Sequence, residues 1–258
     1  MFVIGLLSGL LGGGFGGLLG LGGGIVMIPL MTWLAKMTQH QAHGTSLVAI
    51  FFTAVAGSWT YYGHGGANVK VAFILAVTST VTARLGARFA HKLPERRLRR
   101  AFGFFLVFAS FMLVTRGCLP KTEWVLNQWL SVTTFLVIGS VSGFVSGMMG
   151  VGGGGVMVPL MVVLGNMGQH VAQGTSLLAM IPASLSGALT HYKLGNVKLD
   201  IGWGLAAGSL LGAPIGALAA NLLPEFYLQL VFASIGIWMG MRYIEIGIRH
   251  ASGNGGRK

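Results

Sequence analysis

The chain has 258 residues, of which 53% are hydrophobic and only 9% are charged, and its mean hydropathy is +0.75. A soluble domain has about a quarter of its residues charged, so this composition excludes one and, with its long apolar runs, predicts an all-α polytopic helical membrane protein. The formal net charge is +12, but Lys and Arg lie between the apolar runs. The positive-inside rule and attraction to anionic lipid headgroups explain this placement, so we expect no nucleic-acid partner.

Ten apolar segments follow one another along the chain, and most approach the about 20 residues that a helix needs to cross a bilayer. Their predicted bounds are 1–19, 25–35, 44–62, 69–90, 101–117, 130–149, 156–166, 174–192, 199–220 and 227–244. The two short segments, 25–35 and 156–166, each follow a run of glycines. We therefore predict that each forms a broken-helix or re-entrant pair with the segment before it.

One glycine-rich stretch occurs twice, 130 residues apart (150 minus 20). Residues 20–31 read GLGGGIVMIPLM, and residues 150–161 read GVGGGGVMVPLM. The same shift carries Gly44-Thr45-Ser46 onto Gly174-Thr175-Ser176. We therefore predict two transmembrane repeats that each open with a glycine-broken helix pair, and the predicted division is 1–117, a connector 118–129 and 130–250.

Positive charge is concentrated in one connection. Residues 91–100 are strongly basic, whereas their repeat equivalent, 221–226, contains no Lys or Arg. Because Lys and Arg accumulate in cytoplasmic loops, we expect these connections on opposite faces of the membrane, which predicts inverted topology for the two repeats. Counting outward from residues 91–100 places both termini in the cytoplasm, provided that each glycine-rich pair re-enters or crosses twice.

The glycine runs are the predicted substrate site. Where a helix restarts after a break, its first N–H groups are unpaired and its dipole presents partial positive charge. Restarts after two such breaks would direct these ends at the membrane midplane from opposite sides and bind a small anion. The candidate residues are Gly22, Gly23, Gly24, Gly152, Gly153 and Gly154; the alternative is a purely structural kink.

Hydroxyls and one arginine are further candidates. Thr45, Ser46, Thr175 and Ser176 are expected to open the next helices, where they either cap their own helix or donate to substrate oxygens, and both roles can hold together. Arg84 lies within an apolar segment. It either pairs with the substrate or extends its charged end to the cytoplasmic surface.

Several other chemistries find little support in the sequence. The Gly-x-Gly-x-x-Gly matches at 12–17 and 150–155 follow no strand of a βαβ unit, so we expect no nucleotide and no other cofactor. No cluster of Cys, His and carboxylates has metal-ligand spacing. Carboxylates lie near segment ends, so coupling would use a histidine such as His191 or no ion at all. Gly44-x-Ser46 could mark an intramembrane serine protease, but the motif is duplicated and the histidines lie mostly near segment ends, so we expect no enzyme.

The duplicated glycine element followed by Gly-Thr-Ser resembles the TauE/SafE family of sulfite and sulfonate exporters over about residues 5–245. The resemblance implies a multi-pass bacterial inner-membrane permease for small anions such as sulfite, sulfoacetate or organic acids, usually an exporter. The second copy departs from the first, with Gly155 in place of Ile25 and Pro182 in place of Phe52, so the halves cannot contact substrate identically.

Taken together, these patterns predict a permease that moves a small anion by alternating access about the midplane. A passive anion channel is the nearest alternative function. The expected partners are the anion and the lipid bilayer, and the sequence leaves a homodimer open.

Overall fold

The computed structural model describes residues 1–116 and 128–252, which form ten α-helices and no strand. The helices are α1 (Phe2–Leu19), α2 (Gly24–Leu34), α3 (Gln39–Gly63), α4 (Val69–Lys92), α5 (Glu95–Arg116), α6 (Gln128–Met149), α7 (Gly154–Val163), α8 (Gln169–Lys193), α9 (Leu199–Leu222) and α10 (Glu225–Ser252). This confirms the all-α class. Residues 118–127 of the predicted connector lie outside the described residues.

Five helices of the described part are long and apolar enough to cross a membrane. They are α1, α3, α4, the Ser131–Met149 part of α6, and α9. The helices α2 and α7 have only 11 and 10 residues. At a rise of 1.5 Å per residue, each is about half as long as the bilayer core is thick. The two short segments after the glycine runs are thus half-spans, as predicted.

The Gly-Thr-Ser motifs do not open α3 and α8, and that prediction was wrong. The helix α3 begins at Gln39, where Thr38 caps it: the Thr38 hydroxyl accepts from the Gln41 backbone N–H. Gly44 therefore lies inside the helix. The absence of a side chain matters there because a Cβ would meet the backbone of Asn196. Gly174 lies inside α8 in the same way, against Gly66. These glycines permit close backbone approach and do not end a helix.

Glycine ridges at spacing four also bring helix backbones together at the sides of the bundle. Gly5, Gly9, Gly13 and Gly17 of α1 face α9, and Gly139, Gly143 and Gly147 of α6 face α4. Contacts advance in the same direction along both members of each pair, so α1 runs parallel to α9 and α6 runs parallel to α4. Such small-residue ridges are typical of membrane helix packing, where no hydrophobic effect drives association between helices.

The helices α3 and α8 form the centre of the bundle and run antiparallel. Leu47 packs against Gly187 near one end of the pair, and Leu177 packs against Gly57 near the other. These two contacts are equivalent, because a shift of 130 residues carries Leu47 onto Leu177 and Gly57 onto Gly187. The helices α4 and α9 pack beside this pair, and α5 packs antiparallel to α10, with Gly103 against Gly240.

Neighbouring glycines of α1 provide a matched test of this packing. A Cβ at Gly13 would lie 2.7 Å from Ser209 Cα, whereas a Cβ at Gly14 would have only an ordinary 3.8 Å contact with Gly212 O. We expect Gly13→Ala to lower the free energy of unfolding by about 1–3 kcal/mol through overpacking. Gly14→Ala should leave it unchanged or raise it slightly through helix propensity. Thermal unfolding of the detergent-purified variants measures the difference, and equal melting temperatures would contradict the ridge packing.

Candidate functional site

Both predicted helix breaks are present. Gly22 and Gly23 have φ of 81° and 83°, and Gly152 and Gly153 have φ of 93° and 82°. These left-handed backbone conformations are readily available only to glycine. The chain leaves α1 and α6 and then restarts as α2 at Gly24 and α7 at Gly154. The repeated glycine triplet is thus explained by backbone geometry in both copies.

Each broken pair is a hairpin in which the short helix returns along the long one. A Cβ at Gly16 of α1 would lie 2.5 Å from Gly23 N, and one at Gly12 would meet the Met27 side chain. The helix α2 therefore doubles back against α1. In the second repeat, a Cβ at Gly153 would lie 3.1 Å from Ser142 O of α6. Each short helix therefore ends on the side of the bundle where its long helix begins.

The two breaks pack directly against each other. A Cβ at Gly24 would meet Gly150 O, and a Cβ at Gly154 would meet Gly20 O. All four residues are buried. The first residue of each short helix therefore lies against the end of the other long helix, in the interior. The two predicted breaks are thus in contact, and their convergence on a substrate stays a prediction.

Serine hydroxyls tie each break to the opposite repeat. Ser46 Oγ of α3 donates to Gly150 O at 2.7 Å, or alternatively to His43 O at 2.8 Å. Ser176 Oγ of α8 donates to Gly20 O at 2.6 Å, the equivalent bond at the 130-residue shift. The carbonyl that each long helix presents at its end thus has a donor.

Larger side chains bind the carbonyls one turn earlier. Tyr61 OH donates to Gly17 O at 3.0 Å, and His191 Nε2 lies 2.8 Å from Gly147 O. His43 Nδ1 lies 3.1 Å from Met148 O. Tyr61 and His191 occupy equivalent positions, since 61 plus 130 is 191. Tyr61 and His43 were not predicted from the sequence because equivalent positions carry different residue types, although the 130-residue shift itself was a usable signal.

The N–H groups at the breaks have no such partners. In the described part of the chain, the backbone N–H groups of Gly22–Ile25 and of 152–155 have no hydrogen bond. The first helical bonds come from Val26 N and Val156 N, each at 3.0 Å from the N-cap carbonyl. Buried amides of this kind ordinarily find an acceptor. The carbonyl ends of the breaks are therefore satisfied, and the amide ends are not.

The threonines of the Gly-Thr-Ser motifs hold the loops before α4 and α9. Thr175 Oγ1 accepts from Asn68 N at 2.9 Å, and Thr45 Oγ1 accepts from Lys198 N at 3.0 Å. Asn68 and Lys198 are the N-cap residues of α4 and α9. Thr45 and Thr175 therefore bond another element and do not cap their own helices. Substrate contact by the four predicted hydroxyls stays a prediction.

Arg84 lies on the outer side of α4. Its side chain is exposed, and its Nε donates to Ser186 Oγ of α8 at 2.8 Å. Ser186 Oγ in turn lies 2.8 Å from Thr80 O and donates to it. This network joins α4 to α8 and includes no atom of either break. Pairing of Arg84 with a substrate stays a prediction.

The described residues hold no group of three or more His, Cys, Asp or Glu that could bind a metal. His191 is buried near the end of α8, and only its Nε2 has a partner. Its predicted alternative role in ion coupling stays a prediction.

Replacing each serine that ties a break tests the importance of these bonds. We expect Ser46→Ala and Ser176→Ala each to destabilise the protein by about 1–3 kcal/mol, because a buried carbonyl loses its donor. Ser140→Ala is the matched control, since Ser140 Oγ bonds only Leu136 O of its own helix. Thermal unfolding should show a lower melting temperature for the first two variants only. A loss of equal size in Ser140→Ala would contradict the assignment.

Several apolar helices of spanning length and two buried, facing helix breaks define a polytopic membrane protein built like a solute transporter. The chain matches the family "Sulfite exporter TauE/SafE" over residues 2–243, and it belongs to that family.

Curated relatives cover almost the same length. The chain is 27% identical over 269 residues to "Probable membrane transporter protein YunE" of Bacillus subtilis, covering 96% of this chain and 98% of the relative. It is 28% identical over 232 residues to YdhB of the same organism, covering 89% and 91%. It is 26% identical over 248 residues to a "Probable membrane transporter protein" of Haemophilus influenzae, covering 88% of this chain and 92% of the relative. No solved structure matches the chain. The chain is thus a membrane transporter by family.

Proposed function

We propose that this protein is an inner-membrane permease that exports a small anion, such as sulfite, a sulfonate or a short organic acid, by alternating access. The observation that carries the proposal is the pair of facing helix N-termini whose N–H groups have no partner while the neighbouring carbonyls are bonded. Such a site offers donors only, so it favours a guest with several acceptor oxygens. The family name, which refers to sulfite, agrees with this chemistry.

Electrostatics gives the same preference for a negative guest. Each helix N-terminus carries the equivalent of roughly half a positive charge. Two such ends side by side repel each other, and the repulsion is strong because both are buried in a medium of low dielectric constant. An anion between them would remove the repulsion without a buried Lys or Arg. This is the chemistry of anion binding at helix N-termini, present twice in one place.

The arrangement of the repeats supports alternating access. The equivalent helices α3 and α8 run antiparallel, which in a membrane corresponds to inverted repeats. The short helix of each hairpin runs back towards the side where the long helix begins, so Met1 and Gln39 would lie on the same face of the membrane. With the basic connection 91–100 inside, both termini are cytoplasmic. Motion of one repeat against the other would then open the breaks to either side in turn.

Reconstituted transport tests the function. In proteoliposomes loaded with sulfite, we expect saturable efflux, and unlabelled sulfite on the opposite side should drive counterflow of labelled sulfite. A passive channel would give flux without saturation or counterflow. Transport of cations or neutral sugars, with no transport or binding of any tested anion, would overturn the proposal.

Alanine at the restart positions tests the site itself. A methyl group at Gly24 or Gly154 would meet the backbone of the opposite break and push the two helix ends apart. We expect Gly24→Ala and Gly154→Ala each to reduce sulfite transport at least about tenfold, the effect of losing about 1.4 kcal/mol of binding. Gly14→Ala is the control, and the folded state is checked by gel filtration. Unchanged transport by folded Gly24→Ala and Gly154→Ala would favour a purely structural kink.

The geometry around Ser46 and Ser176 is less suitable for proteolysis than for transport. Ser46 and Ser176 direct their hydroxyls at backbone carbonyls, whereas a nucleophilic serine needs a base to accept its proton. Membership of a transporter family likewise supports a role without catalysis. Purified protein should cleave no membrane peptide, and peptide cleavage that Ser46→Ala or Ser176→Ala abolishes would instead indicate a serine nucleophile.

A further inference from the structure

The two helix breaks have different neighbours on their own long helices. Ser142 and Ser146 of α6 lie beside the second break, and the 130-residue shift carries Gly12 and Gly16 of α1 onto them. Both serines are buried, with 0% and 1% of their surface exposed. The first break therefore has bare backbone beside it, and the second has two hydroxyls.

Neither of these hydroxyls has a hydrogen-bond partner in the described part of the chain. Several other serines bond a carbonyl one turn earlier: Ser140 Oγ bonds Leu136 O at 2.8 Å, and Ser184 Oγ bonds Met180 O at 2.7 Å, although the buried Ser110 Oγ also lacks a partner in the described structure. This local bond is the usual way for a serine inside a helix to satisfy its hydroxyl. Ser142 and Ser146 depart from that pattern, and each is left as a buried unsatisfied group.

The serines adjoin the amide end of the break. Gly153 is the N-cap of α7, and a Cβ there would lie 3.3 Å from Ser146 Cβ and 3.1 Å from Ser142 O. The N–H groups of residues 152–155, in the same short stretch, have no partner in the described structure either. Unpaired hydroxyls and unpaired amides thus lie together within one turn of α6 and the start of α7.

The first turn of α7 also differs from that of α2 in its side chains. Gly155 has no side chain, whereas α2 carries Ile25 at the equivalent position. An aromatic ring covers this place from α5, because a Cβ at Gly155 would lie 3.3 Å from Phe105 Cζ. At the first break, a side chain at Gly16 would collide with Gly23 N, so that break packs tightly on its own helix.

We propose that Ser142 and Ser146, together with the N–H groups of residues 152–155, form the oxyanion subsite of the transporter, with Phe105 as its cover. The proposal rests on the proposed function and assigns the anion to the second repeat. The two hydroxyls and the helix N-terminus donate to different oxygens of one guest, so the ligand class is an anion with at least two acceptor oxygens, such as sulfite or a sulfonate. The first break supplies packing and charge from the opposite side.

Binding of sulfite to the purified protein in detergent tests the subsite. Isothermal titration compares wild type with Ser142→Ala, Ser146→Ala and the double variant, and Ser140→Ala on the same helix is the matched control. We expect the double variant to bind sulfite at least tenfold more weakly, each single variant to lose less, and the control to stay within twofold of wild type. The melting temperature without ligand should be unchanged or higher in the double variant, because only unpaired hydroxyls are removed.

A second pair of variants locates the subsite in one repeat without touching the serines. Gly155→Ala adds a methyl group against Phe105 and should weaken sulfite binding, whereas Ile25→Ala at the equivalent position should not. Sulfite binding equal to wild type in both the serine double variant and Gly155→Ala overturns the subsite while anion transport stands. A wild type that binds no anion overturns the proposed function itself. Weaker binding in Ile25→Ala alone would overturn the assignment to the second repeat.

Discussion

Unpaired backbone amides inside an apolar bundle are the constraint on which the rest of this structure depends. A helix that stops and restarts at membrane depth leaves both carbonyl and N–H groups without partners, and no water is present in the hydrocarbon core to bind them. Here the carbonyls are satisfied by side chains of α3 and α8, including Ser46, Ser176 and Tyr61. The bundle thus satisfies the carbonyl groups and leaves the N–H groups unpaired, and under the proposed function these N–H groups bind the substrate.

Glycine serves two physical roles in this chain, and the sequence distinguishes them only in part. The triplets 22–24 and 152–154 were correctly predicted as breaks because adjacent glycines in a duplicated apolar context are costly in a continuous helix. Gly44 was wrongly predicted to lie at a helix start, because a single glycine marks a helix end and a close backbone contact equally well. Only the position of Asn196 opposite Gly44 decides between the two, and that depends on tertiary packing.

The repeat in the sequence predicted the number and order of the helices but not the side chains that hold the breaks. Tyr61 and His191 perform the same task at equivalent positions with different chemistry, and so do not appear as a shared motif. Arg84 illustrates the opposite case. Its charge in an apolar segment was conspicuous, yet it lies exposed and bonds Ser186 on a neighbouring helix. The direction of a side chain around a helix depends on which helices pack beside it, and spacing alone could not supply that.

The duplication combines a symmetric frame with an asymmetric interior, and steric limits explain why the two differ. A break can pack tightly on its own long helix only where that helix has glycine, as at Gly12 and Gly16. Where the long helix has Ser142 and Ser146, the break lies against hydroxyls instead of bare backbone. In the described part of the chain, the N–H groups of both breaks lack partners, but unpaired hydroxyls lie beside the second break and not beside the first. Under the proposed function, the guest therefore meets amides from both breaks but hydroxyls from the second break alone.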